Sequence, residues 1–417
     1  MKVVLTAPSW AQQLIEDPGL CLLKVDITNA FNTISRAHCL RAVQRIDGAA
    51  LRWLRWLLTG KSTLWFGGTP VDSSEGLHQG DPVSPVAFSI GLAAVVKELE
   101  DLGSNQLNGQ LWYADDGLIA CQLTSIPLVV ATLEMALLQL GLRLNHSKCE
   151  MLTGVESPLS LCPSQWILRT NPVEWEYLGV PLCKTGTCLS SIFTKAKESV
   201  EAIANFGRHY PQQGLTLLRQ TAGCCRVEHV CKVLPPGALR EWLFQYSNQM
   251  RDSLSSILQR PVTTESWQQA VLSAEYGGFG IRNPLLLAPA IYYINMVLSR
   301  EQALGYGATA TFVDAEYKRA GSEYLGSDTT LSEILPDPKL QHQLARTLSH
   351  SAIMDVCDPA SKSRLASLSY ETSSWAYSPS RWFRMEPGEF RNALAWSLGN
   401  IDTTLIHLDK AELFLVP

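Results

Sequence analysis

The stretch LWYADDGLIA, Leu111 to Ala120, constrains the fold most. Two adjacent aspartates sit between apolar, β-prone arms. Such arms around a polar tip read as an antiparallel hairpin, and Asp115-Asp116-Gly117 is good turn chemistry for a two-residue loop. The bland reading is an ordinary Asp-Gly turn. The sharper one is a rigid presenter of carboxylates to Mg²⁺, a hard cation that takes oxygen ligands and relieves the repulsion between adjacent acids.

Phosphoryl transfer at such a site uses two ions roughly 4 Å apart, so it needs a further carboxylate from another strand. LLKVDITNAFN supplies Asp26 at the end of an apolar strand, where it otherwise reads as a helix N-cap alongside Thr28 and Asn29. Phe31 follows, and taken alone it is a core aromatic at a strand-to-helix corner. In GLHQGDPVSPVAFSI, Gly80-Asp81-Pro82 is a turn, Ser84 can cap a helix and Pro85 suits its first position. That reading leaves the polar Gln79 unexplained. GLRLNHSKCEML places Asn145 and Lys148 after a helix, and WEYLGVPL reads as a short strand with a glycine.

The combination is more specific than its parts. Asp26 to Phe31, Gln79-Gly80-Asp81-Pro82-x-Ser84-Pro85, Tyr113-Ala114-Asp115-Asp116, Asn145-x-x-Lys148 and Tyr177-Leu178-Gly179 occur in this order. Together they resemble the palm motifs of reverse transcriptases, the non-LTR, LINE-like retrotransposon group above all, strongly from Leu22 to Pro181 and more loosely downstream. The resemblance implies an α+β fold: a right-hand polymerase palm, an antiparallel sheet with packed helices, then an α-helical thumb and a helical C-terminal region. The implied division is residues 1–183 for the palm with a remnant of fingers, 184–300 for a thumb-like domain and 301–417 for the C-terminal region.

The same resemblance implies roles. Asp26, Asp115 and Asp116 would hold two Mg²⁺ ions, with Mn²⁺ as a substitute. Phe31 would select deoxynucleotides through the sugar, and Gln79 and Gly80 would line the incoming nucleotide, with Tyr113 and Asn145 also at the substrate. Lys148 would serve the leaving pyrophosphate. Tyr177, Leu178 and Gly179 would form the primer grip. The implied partners are an RNA template, a DNA primer and dNTPs, with further element-encoded domains such as an endonuclease.

Only 25 residues precede Asp26, with Lys2 the sole cation before Lys24, which leaves no room for the basic fingers strands expected of the family. The chain therefore reads as an N-terminally truncated polymerase, and the alternative is a catalytically inactive nucleic-acid-binding remnant. An RNA-dependent RNA polymerase is a further alternative, against which Phe31 and the Q-G-D-P-x-S-P string argue.

Composition bounds the rest. A net charge of -5 argues against a uniformly basic binder, yet residues 184–260 carry +5 and the remainder -10. After a palm, a basic helical segment reads as a clamp on the nucleic-acid backbone. No apolar run is long enough for a membrane span, and no membrane partner is expected. Eleven scattered cysteines without a C-x-x-C pair fit reduced thiols in the nucleus or cytoplasm. The long segments from Cys183 onward, QQGLTLLRQTAGCCRVEHVCKVL among them, read as helices, GGFGIRN as a loop, the Ser-rich 358–374 as mobile, and EFRNALAWSLG as a last helix.

Overall fold

A computed structural model describes residues 3–46, 48–59, 62–154, 160–273, 278–325 and Pro387, Gly388, Phe390 and Arg391. The chain divides into two compact units. One holds Met1–Gly186 with Ser299–Val313; the other begins at Thr187, runs to Leu298 and resumes at Asp314.

The first unit runs α1 (Val3–Glu16), β1 (Leu20–Val25), α2 (Ala30–Thr33), α3 (Arg36–Ile46), α4 (Gly48–Thr59), β2 (Ser62–Phe66), β3 (Thr69–Ser73) and α5 (Ser84–Glu100). It continues through β4 (Leu107–Tyr113), β5 (Asp116–Gln122), α6 (Ile126–Gln139), β6 (Glu150–Leu152), β7 (Ile167–Arg169), β8 (Glu176–Tyr177) and β9 (Val180–Pro181). The residues before Lys24 thus form a helix and the start of a strand. The main sheet has the order β4-β5-β1-β6-β7. Its pairs are antiparallel except β6 with β7, so the expected all-antiparallel sheet acquires one parallel edge.

The unbroken apolar run of β1 is explained by cover on both faces of the sheet. Alternate residues Cys21, Leu23, Val25, Ile119, Cys121 and Met151 pack into a core with residues of α3, α5 and α6. On the opposite face Leu22, Leu118, Ala120 and Leu152 pack with Trp10 and Leu14 of α1 and with Trp175, Tyr177 and Leu182. Side chains alternate along a strand, so Lys24 and Asp26 fall on this second face with Leu22, and Asp116 falls there with Leu118.

Helix ends follow local chemistry. Gly141, at φ 78°, ends α6 in a Schellman motif: its amide donates to Leu138 O at 3.0 Å and that of Leu142 to Leu137 O at 2.9 Å. At the start of α5 the expected Ser84 cap is not made. The N-cap position is Val83, with no side-chain cap, and Val83 N donates instead to Asp81 Oδ1 at 2.9 Å. Pro85 sits in the first turn as expected.

The second unit is helical: α7 (Cys188–Gly207), α8 (Pro211–Leu217), α9 (Glu228–Val233), α10 (Pro236–Leu258), α11 (Thr264–Ala270), then α12 (Pro284–Gly305) and α13 (Ala310–Leu325), whose ends fall in the first unit. Its core gathers Phe193, Tyr246, Leu254, Ile257 and Phe390. The long helix expected over 212–234 is broken. A π turn at Leu218–Ala222 and a 3₁₀ turn at Cys224–Arg226 flank Gly223, which has no helical backbone (φ -62°, ψ -144°). Tyr246 Oη donates to the Ala222 carbonyl there, a buried partner that the uninterrupted helix would not offer. Residues 278–283 form a loop, as expected. The Ser-rich stretch and most of EFRNALAWSLG lie outside the described residues; Phe390 and Arg391 are helical. Among the described residues no helix is long and apolar enough to cross a membrane, and no cysteine is disulfide-bonded.

Candidate active site

The aspartate hairpin is real, but its turn is displaced from the one expected. Tyr113 pairs with Asp116, so the two loop residues are Ala114 and Asp115, while Asp116 and Gly117 begin β5. Ala114 has φ 53° and is the sole non-glycine of the loop with positive φ, the φ pattern of a type II′ hairpin. Gly117 is required by space rather than by turn conformation. A Cβ there would meet Val25 Cγ2 at 2.4 Å and Trp112 Cζ3 at 2.6 Å. Asp116 is therefore held in the ladder beside a tightly packed Gly117, with Asp115 in the adjoining loop.

β1 brings the third carboxylate. Val25 pairs with Gly117, so the next step of the same antiparallel register sets Asp26 opposite Asp116. Asp26 is not spent on capping: the N-cap position of α2 is Asn29, in the left-handed region. The strand end is instead stitched to the 143–149 segment. Asn145 N donates to Asp26 O at 2.8 Å, Thr28 N to Arg143 O at 2.9 Å, and Lys148 N to Asn145 O at 2.9 Å. The Asn145 side chain accepts from Ser147 Oγ at 2.9 Å, and the Lys148 side chain is exposed.

WEYLGVPL is a small hairpin rather than the single strand expected. β8 and β9 pair across Leu178 and Gly179, both with positive φ (52° and 69°), the φ signature of a type I′ turn. Tyr177 is buried, and its hydroxyl donates to the Asp116 carbonyl at 3.0 Å. Burial and the Asp116 charge push its pKa upward, which keeps it a donor.

These pieces enclose an open cleft of about 540 Å³ lined by Lys24, Tyr113, Asp116, Tyr177, Leu178 and Gly179. Phe31, Gln79, Gly80, Asn145 and Lys148 lie outside that lining, as do Asp26 and Asp115. Burial raises the Asp116 pKa, and Asp115 and Asp26 raise it further, against the lowering effect of Lys24. Asp115 and Asp26 therefore both lie close enough to act on the Asp116 charge. Among the described residues no group of three His, Cys, Asp or Glu side chains is placed to hold a metal ion.

Phe31 is half-buried and stacks on Phe88 of α5, centroids 4.6 Å apart and planes 17° apart. Gln79 and Gly80 are exposed in the turn before α5, with Gly80 at φ 91°.

Lys24 and Glu150 escaped the sequence reading. Lys24 Nζ pairs with Glu150 at 2.9 Å and with Glu176 at 3.9 Å, and Glu150 also accepts from Arg169 Nε at 3.0 Å. The available signal was a lysine inside an otherwise apolar strand, two residues from Asp26 and hence on its face.

The family model described as reverse transcriptase (RNA-dependent DNA polymerase) matches residues 11–182. Among curated proteins the chain is similar to the retrovirus-related Pol polyprotein from type-1 retrotransposable element R2 of Nasonia vitripennis, 24% identical over 186 residues, covering 39% of this chain and 18% of that one. The chain thus spans under a fifth of that relative's length. Among solved structures it is similar to telomerase from Candida albicans in complex with a TWJ fragment of telomeric RNA, 12% identical, covering 77% of this chain and 50% of that one, with a TM-score of 0.34. Residues 11–182 thus carry the match to the reverse transcriptase family.

Proposed function

We propose that the chain copies RNA into DNA. In this reading residues 1–183 are the palm with a remnant of fingers, 184–300 a basic thumb and 301–417 a helical C-terminal region. The observation that supports it is Asp116, which lines an open cleft and whose charge feels both Asp115 beside it and Asp26 at the end of the neighbouring strand.

Asp26, Asp115 and Asp116 would hold two Mg²⁺ ions. When bound, such ions make the primer 3′-hydroxyl more acidic and neutralise charge on the phosphate oxygens during in-line attack on the dNTP α-phosphate. The protein's own part is positioning. The β1–β5 ladder ends at Val25 and Gly117, the immediate neighbours of Asp26 and Asp116, and the Tyr177 hydroxyl pins the backbone of Asp116. Leu178 and Gly179 border the cleft where a primer end would lie, and Lys148 supplies an exposed cation for the leaving pyrophosphate. Phe31, with Gln79 and Gly80, would meet the nucleotide's sugar and base. The stacking of Phe31 on Phe88 supports a stiff ring.

The test is primer extension by the purified chain with an RNA template, a DNA primer, Mg²⁺ and dNTPs. Asp115→Ala is expected to lower the extension rate by roughly 10²-fold or more. Template–primer binding without extension, equal in both proteins, would instead identify a binding remnant. Extension with rNTPs alone would identify an RNA polymerase.

A further inference from the structure

The segment between Phe31 and Gln79 has an outer surface that the catalytic reading leaves unused. Residues 36–61 carry six Lys or Arg against one Asp, and residues 36–78 as a whole still carry +3. On α4, buried Leu54 and Leu58 face inward, while Arg52, Trp53, Arg55 and Trp56 are exposed, Trp56 by 76%. The β2–β3 hairpin is more exposed still. Trp65 and Phe66, at 73% and 83%, stand beside a Gly67-Gly68 turn with φ of 55° and 84°. They point to opposite faces of the ribbon, so neither face of the hairpin is packed.

An isolated two-stranded ribbon is at best marginal in water, and aromatic side chains this bare mark a binding surface. The ribbon is nevertheless firmly rooted. The Arg36 guanidinium donates to Leu58 O at the end of α4 (3.2 Å), to Ser73 O at the end of β3 (3.1 Å), and to Gly76 O (2.6 Å). One side chain therefore anchors both aromatic-bearing elements, and Leu77 N donates to Phe31 O at 2.6 Å to dock the loop that follows.

The occupant is identified by chemistry. The segment is basic, and it interleaves Arg with Trp in Arg52-Trp53 and Arg55-Trp56. Aromatic faces that stack on bases, beside guanidiniums that meet phosphates, are what an unpaired nucleic-acid strand requires. We propose that α4 and the β2–β3 hairpin bind single-stranded nucleic acid, with Trp65, Phe66 and Trp56 stacking on bases and Arg52 and Arg55 meeting phosphates. This builds on the polymerase reading only in taking nucleic acid as the ligand. It also gives the chain a basic, strand-binding element on the C-terminal side of Asp26.

The probes are fluorescent 20-nucleotide oligouridylate and oligothymidylate, titrated into the full chain. Trp65→Ala/Phe66→Ala is expected to weaken binding about tenfold or more. Arg52→Gln/Arg55→Gln should reduce the slope of log affinity against log salt by about 1.4. Melting temperatures should stay at the wild-type value because all four side chains are exposed. Wild-type protein that binds neither oligonucleotide overturns the proposal. So do aromatic variants that bind as wild type, or that change only the chain's self-association in sedimentation. Loss of oligonucleotide binding in the hairpin variants of a chain that extends no primer would sustain this surface and reject the polymerase. Active extension with hairpin-independent binding would do the reverse.

Discussion

At the scale of single residues, the cleft is lined in part by Lys24, a charge carried by an otherwise apolar strand. Lys24 is tolerable in β1 because Glu150 and Glu176 meet it. Burial pushes the Glu150 pKa up, but hydrogen bonds and charge from Lys24 and Arg169 outweigh burial and hold the carboxyl below its usual range. A depressed carboxyl stabilises the fold above its unfolded pKa, near 4.3, and that contribution is lost as pH falls through the folded value. Glu150→Gln is therefore expected to lower stability by ~1–3 kcal/mol at neutral pH. The deficit should shrink toward zero in acid, as urea titrations at a series of pH values would register. Gly117→Ala belongs to the same scale. The added methyl lands on Val25 and Trp112, so stability should fall by ~1–3 kcal/mol, with extension impaired beside Asp116. Denaturant midpoints and primer extension measure both. The aspartates themselves were legible as chemistry, since few residue types hold hard cations. Lys24 and Glu150 were not, because their pairing spans 126 positions of sequence.

At the scale of elements, the two hairpins work as a pair. The β8–β9 hairpin is only two residues a side, and its own ladder stabilises it little. It is fixed by buried Trp175 and Tyr177 and by the Tyr177 hydroxyl on the Asp116 carbonyl. Tyr177→Phe should cost ~1 kcal/mol in stability. It should slow extension while leaving template–primer affinity near wild type, which separates positioning from binding in a kcat-against-KM comparison. The helix stop at Gly141 and the hairpin at Gly67-Gly68 are local matters, whereas the cap expected of Ser84 at the start of α5 is not made. Nor are the exact two residues of the aspartate turn a local matter. Asp-Gly favours a turn two positions later, and the register with β1 overrides that preference. Likewise the break at Gly223 answers to tertiary packing around Tyr246 rather than to helix propensity.

At the scale of the whole molecule, the first unit is closed by residues from far along the chain. Ser299–Val313 returns to it, where Thr309 N donates to Ser9 Oγ at 3.0 Å and Gln13 Nε2 to Gly307 O at 3.5 Å. A fragment ending at Gly186 lacks these contacts with α1. Its α1 amides should exchange with solvent roughly tenfold faster than in the full chain, as hydrogen exchange read by mass spectrometry would report. Equal exchange would mean that the returning segment adds nothing to α1.

By itself the sequence determined the inventory: a strand ending in Asp26, a hairpin carrying Asp115 and Asp116, a polar turn at Gln79 and Gly80, and their order, which sufficed to name the family. Those are local matters of turn chemistry, periodicity and the few side chains able to do a given reaction. The tertiary structure decided which residues meet. It set β1 between β5 and β6, paired Val25 with Gly117 next to Asp26 and Asp116, brought Tyr177 onto the aspartate backbone and left Trp65 and Phe66 bare. Strand order and register come from which apolar faces bury together across long stretches of chain, and no local signal specifies that choice.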